Sequence, residues 1–146
     1  MSKKIYFLII ISIFLVSCSN GINSTNIVSH NIDPTKVVLD KGAGGIMGEL
    51  IIPPFWDGEQ IYAYAAPYLG DPEGEGIFIL DDKVNKYARV EADNYFQIAN
   101  IDPGIYILVV GPNTDSAKAY RKNGIAVKIT ITSDEFTDVG KLYIEN

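Results

Sequence analysis

Carboxylates are the most plentiful reactive groups of this chain, and some are closely spaced. Asp71, Glu73 and Glu75 alternate within GDPEGEG, and Asp81-Asp82 follow the next short apolar run. Hard oxygen donors at such spacing are the type that wraps Ca²⁺, which takes six to eight oxygens. The full EF-hand loop pattern is missing, and acidic residues in a turn are ordinarily just solvated, so these three make a calcium candidate with a plain competing reading. The second set is aromatic: Trp56, Tyr62, Tyr64 and Tyr68, with Phe55 beside them. If Ile61, Ala63 and Ala65 face a core, Tyr62 and Tyr64 point outward. Flat rings so placed stack on apolar sugar faces or anchor a protein partner. The competing reading is that Trp56 and two of the tyrosines complete the core or cover an edge.

Catalysis lacks its parts. The single histidine, His30, lies in a polar N-terminal stretch with no second ligand near it, and Ser116 and Ser133 have no neighbouring histidine. A dyad such as Glu91 and Asp93 would need one carboxyl pKa raised within a deep cleft. No set of residues fills the roles of nucleophile, base and orienter, so the sequence predicts a protein that is not an enzyme and needs no cofactor. One cysteine excludes a disulfide framework and a Cys/His zinc cluster. A formal net charge of −6 opposes a phosphate backbone, so nucleic acid is not an expected partner.

That one cysteine closes the N-terminal segment MSKKIYFLIIISIFLVSC: two lysines, an apolar run from Ile5 to Val16, then Ser17-Cys18. The layout is that of a secretory signal, and the run is well short of the roughly 20 apolar residues a spanning helix needs. Leu15-Val16-Ser17-Cys18 resembles the bacterial lipobox. The resemblance implies a diacylglycerol thioether on Cys18, cleavage before it, and acylation of the new amino group, for example by palmitate. Two or more acyl chains, at about 0.8 kcal/mol per buried methylene, hold a protein on a membrane without a spanning helix. Removing residues 1–17 takes Lys3 and Lys4 away and leaves 10 basic against 18 acidic residues. Anionic headgroups would repel such a body.

Residues 18–44 are rich in Asn, Ser, Thr and Gly without sustained periodicity, and read as a lipidated flexible tether spanning about 25 to 30 Å as a coil. Only Lys36 to Leu39 suggests a short edge strand. From Gly45 onward, short β-type runs alternate with turn residues: 46–52, 61–66 ending near Pro67, 76–80, 86–90, 95–98, 105–110, 126–131 and 140–144. Asp93-Asn94 predicts a hairpin turn with left-handed backbone. Period two puts Val127, Ile129 and Ile131 in the core, and Phe96 and Ile98 opposite Tyr95 and Gln97. Residues 105–110 are apolar on both faces. Tyr106, Leu108 and Val110 should fill the core, while Ile105, Ile107 and Val109 need a cover: a loop, the tether or another protein.

The stretch Ala92 to Val110, with its Asp93-Asn94 turn, Phe96-Gln97-Ile98 strand, Asp102-Pro103-Gly104 turn and Tyr106-Ile107-Leu108-Val109-Val110 strand, resembles the carboxypeptidase regulatory-like family of prealbumin-like or starch-binding-like sandwiches. Gly45 to Leu50 is similar to that family's opening strand, and 125–131 with 138–142 to its closing pair. In the resembling turn, Pro103 would fix φ and Gly104 would supply a positive one. The resemblance implies an all-β, seven- to eight-stranded antiparallel prealbumin-like sandwich over 45–146, and no catalytic residues. The expectation is a bacterial cell-envelope lipoprotein, anchored through Cys18 to the outer membrane or to the outer face of the cytoplasmic membrane. Its body would be a non-catalytic structural or protein-interaction module, or alternatively a carbohydrate-binding module using the exposed aromatics. The corresponding partners are an envelope protein or a polysaccharide.

Overall fold

The computed structural model describes residues 37–145. The signal segment, Cys18 and His30 lie outside the described residues. Eleven extended segments follow in order: β1 (Gly44–Ile51), β2 (Tyr62–Gly70), β3 (Gly76–Phe78), β4 (Lys86–Arg89), β5 (Tyr95–Ile101), β6 (Gly104–Gly111), β7 (Lys118–Ala119), β8 (Arg121–Lys122), β9 (Ile125–Ala126), β10 (Lys128–Ile131) and β11 (Phe136–Tyr143). The molecule is all-β. One sheet runs β11-β1-β5, a second runs β10-β6-β2-β3 with β4 also on β2 and β7 also on β6, and β8-β9 form a small ladder of their own.

Alternation along the strands makes the core. Ile46 and Leu50 of β1, Phe96 and Ile98 of β5 and Leu142 of β11 meet Ala63, Ala65, Leu108, Val110, Ile129 and Ile131 of the second sheet. Burying each aliphatic side chain contributes about 1.5 to 3 kcal/mol, the main force offsetting chain entropy. Gly44 and Gly45 are needed where the sheets close: a Cβ on Gly44 would run into the Thr132 carbonyl, and one on Gly45 into the Phe136 ring. As expected, Phe96, Ile98, Ile129 and Ile131 are buried, whereas Val127 is only half-buried between β9 and β10.

Strand β6 is covered on both faces by its own chain. Leu108 and Val110 face the main core, while Ile107 and Val109 pack with Tyr64 and Ala66 against Tyr62, Tyr68, Phe78, Leu80 and the small side chains of Ala117, Ala119 and Ala126. The face that was expected to want a loop, the tether or a second protein is thus roofed by tyrosines and the β3–β4 connection.

Five expectations need correction. The sandwich is not antiparallel throughout: β1 and β11 pair in parallel, with a register shift between Met47 and Glu49 opposite Gly140, whose φ is 68°. The cause is that the final strand returns to the outer edge of the first, running the same way. Strand β2 does not end near Pro67 but runs to Gly70. It changes neighbour there, from β4 at 62–65 to β3 at 68–70, so Pro67 pairs only with β6 and its missing N–H falls in the gap. Of the proposed edge strand, residues 37–39 are described, and they pair with no strand. Finally, Gly104 does not have positive φ; Asn100 takes the left-handed angle instead, at 57°. Asn94 is left-handed as expected (67°), but its turn carries the chain from the second sheet to the first rather than closing a hairpin within one.

Leu108→Ala should cost about 2 to 5 kcal/mol, since it leaves a cavity between the sheets. Tyr143→Ala, at an exposed position of β11, should change stability by no more than about 0.5 kcal/mol. Urea denaturation of the two variants checks the contrast; equal losses would show that the core has been misplaced.

Candidate functional site

The four predicted aromatics do not share a surface. Trp56 is 5% exposed and lies in the main core, held by a 3-10 turn (Pro54–Trp56) that follows Pro53. Phe55 meets it edge-on at 5.0 Å and stays partly exposed, with Lys118 Nζ 4.5 Å above its ring. Tyr64, only 4% exposed, lies on the opposite face of β2 with Tyr62 and Tyr68 half-buried beside it. Tyr64 faces away from the main core, as period two requires, but is buried covering β6, and Trp56 completes the main core, as the competing reading had it.

A ring missed in the sequence completes the group. Tyr87 of β4 stands directly opposite Tyr64 across the strand pair and is 52% exposed. Its centroid is 5.5 Å from Tyr64 and 5.9 Å from Tyr62. The period-two pattern of Lys86 to Val90 could have found it, since Tyr87 and Arg89 alternate with Ala88. Burial raises the Tyr64 hydroxyl pKa, and the Asp82 carboxylate and the two neighbouring tyrosines add to the rise. Tyr95 and Tyr106 are raised likewise, burial first, then Asp138 and Asp93 for Tyr95 and Asp102 for Tyr106.

The acidic turn already has its cation. Lys128 Nζ donates to the carbonyl oxygens of Asp71 (3.1 Å), Pro72 (2.9 Å) and Gly74 (2.6 Å), and sits 4.4 Å from the centroid of the Tyr68 ring. The Tyr68 hydroxyl lies within donating distance of the Asp71 and Gly74 carbonyls at 3.2 and 3.0 Å, and Asp71 Oδ1 accepts from Glu73 N. The backbone carbonyls of the turn are thus held by an ammonium group. Among the described residues no cluster of three or more His, Cys, Asp or Glu side chains could hold a metal. The turn that carries the calcium candidates Asp71, Glu73 and Glu75 is braced by this internal lysine clamp. Ser116 serves its own turn, donating to Asn113 Oδ1 at 2.9 Å.

Polar side chains converge elsewhere, in a groove of about 600 Å³ at the end of the sandwich where residues 40–43 enter β1. Pro67 of β2 and the exposed Val84 provide apolar surface, and the rest of the lining includes Asn85, Asn100, Lys41, Lys86, Asp40 and Asp102. Asn85 is the one buried polar residue among those described, at 8% exposure. Its Oδ1 accepts from Asp81 N at 2.6 Å, and Asn100 Oδ1 accepts from Asp40 N at 2.8 Å. Because a backbone N–H can only donate, both amide oxygens are committed to the chain, and each –NH₂ is left as the remaining donor of a residue that lines the groove. Tyr106 lines the same groove, and its hydroxyl donates to the Asp102 carbonyl at 2.8 Å. Nothing in the sequence marks Asn85 or Asn100, which sit in unrelated loop and strand positions.

No protein-family description matches the chain, and no curated protein matches it. Among solved structures, the chain is similar to a candidate carbohydrate binding protein from Pseudomonas aeruginosa, at 14% identity over 74% of this chain and 92% of that one, with a TM-score of 0.36. A likeness so distant carries no argument about the site.

Lys128→Met should loosen the β2–β3 hairpin and lower stability by about 1 to 2 kcal/mol, as charge-assisted bonds are lost at an exposed place. Calcium chloride should leave the melting temperature of the unmodified protein unchanged, since the carbonyls are taken. Stability should also fall at alkaline pH. The unfolded tyrosines release protons near the ordinary value of 10.0 while the raised, folded ones retain them. Their contribution is therefore complete below pH 10 and is lost as pH rises through the folded values. Thermal melts from pH 8 to 11 should show this decline, and Tyr64→Phe should make it shallower.

Proposed function

We propose that this chain is a bacterial cell-envelope lipoprotein, tethered by lipid on Cys18, whose β-sandwich is a non-catalytic binding module with the Asn85/Asn100 groove as its site. The observation that carries the binding reading is the pair of committed asparagines. Two buried or half-buried amides on one groove lining are fixed through their oxygens by backbone donors and keep their –NH₂ groups as donors, which is how a fold holds ligand donors ready. Anchoring rests on the tripartite segment ending at Cys18, and residues 37–145 hold no helix long and apolar enough to cross a membrane. The acidic body is expected to stand off the bilayer on its tether.

A protein-partner reading is favoured by a separate observation. Beyond the groove, β2 and β3 extend as a hairpin whose registered pair Leu69 and Ile77 is 51% and 65% exposed, with Ile79 exposed beside them. Apolar side chains clustered in this way mark contact surfaces.

Mass spectrometry of membranes from the producing cell should find a mature chain beginning at Cys18 and carrying diacylglycerol, and Cys18→Ser should abolish the modification. Intact, unmodified precursor dissolved in the cytosol would overturn the anchoring proposal.

A further inference from the structure

We infer that the groove binds a neutral, hydroxyl-rich saccharide, recognised by the amide donors of Asn85 and Asn100 between Lys41 and Lys86 on one hand and Asp40 and Asp102 on the other. The inference rests on the binding reading above and adds the ligand class.

Charge balance selects the class. Lys41 and Lys86 make no ion pair among the described residues, so both ammonium groups are available as donors. The two lysines are matched by two aspartates on the same lining. An anionic ligand would meet Asp40 and Asp102, a cationic one would meet Lys41 and Lys86, and either would incur repulsion while gaining its attraction. A hydroxyl has no such conflict, being donor and acceptor at once. It can donate to the aspartates and accept from the lysines and amides.

Shape and surface agree with that choice. A purely apolar ligand would strand the asparagine –NH₂ groups away from water, which costs free energy. A sugar ring instead pairs its C–H face with Pro67 and Val84 while its rim of hydroxyls reaches the polar side chains. The aromatic route to the same ligand is poorer here, because Trp56 and Tyr64 are buried in the fold.

The amides allow an isosteric test. Asn100→Asp keeps an oxygen for Asp40 N, and so preserves the structural bond, but exchanges the groove donor for an acceptor. In calorimetric titrations of the full chain in detergent, neutral hexasaccharides of glucose, galactose, mannose and N-acetylglucosamine are the probes, with hexagalacturonate and an acidic peptide as charged comparators. At least one neutral hexasaccharide should bind, Asn100→Asp should weaken it roughly tenfold or more, and Lys86→Met should weaken it as well. The melting temperature of Asn100→Asp should stay near that of the unmodified chain, and Tyr143→Ala should bind normally. Binding only of hexagalacturonate or the acidic peptide, sensitive to Lys86→Met, would overturn the ligand class and leave the groove as a binding site. Neutral sugar binding lost in Tyr87→Ala but kept in Asn100→Asp would move the site to the tyrosine face and overturn the groove assignment. No binding by any probe would overturn both the class and the binding reading.

Discussion

The structure depends on a strand that is apolar on both faces. Residues 105–110 of β6 cannot meet water on either side without losing about 25 cal/mol for each Å² of apolar surface left wet. The first sheet covers one side. The other is covered by Tyr64, with Tyr62, Tyr68, Phe78 and Leu80 around it, and this requirement determines where the aromatic residues go. Rings that might have formed an open platform became a roof, with Tyr87 left at its margin. The groove proposed as the binding site lies instead where the polar chain of residues 40–43 enters β1 and forms a wall.

The second sheet explains how the acidic turn is held. Strand β10 lies beside β6, and Lys128 at its start reaches across to the carbonyls of the β2–β3 connection. A positive side chain brought from 54 residues away along the chain offsets one of the three acidic charges and ties the loop's carbonyls together. Glu49 and Lys141 make a comparable link across the parallel seam, at 2.8 Å. In both places charge is handled by contacts between strands that are remote in sequence.

Much of the fold was legible from local pattern. Eight segments of three residues or more match the seven or eight strands that period two predicts, and the alternation of Phe96 with Gln97 and of Ile129 with Thr130 gave the correct faces. What local pattern could not supply was partnership. Whether Pro67 ends a strand depends on which neighbour lies beside it, and whether Trp56 is a platform depends on the sheet against which its turn packs. Asn123-Gly124 is a different kind of omission: both residues have left-handed φ, 56° and 79°, between β8 and β9, and the Asn-Gly pair is a strong hairpin signal in its own right. The groove was the least legible part, since its walls come from chain positions as far apart as Asp40 and Tyr106 and its key donors are ordinary asparagines.

The parallel pairing of β1 with β11 has a mechanical meaning. Gly45 lies beside Phe136 at one end of the seam and Ile51 beside Tyr143 at the other, so the chain enters and leaves the body at opposite poles of one hydrogen-bonded ladder. Tension drawn between those two ends would slide the strands lengthwise and load the rungs together in shear, instead of peeling them apart one by one. A body held at its entering end and pulled from its exit would therefore resist as a unit.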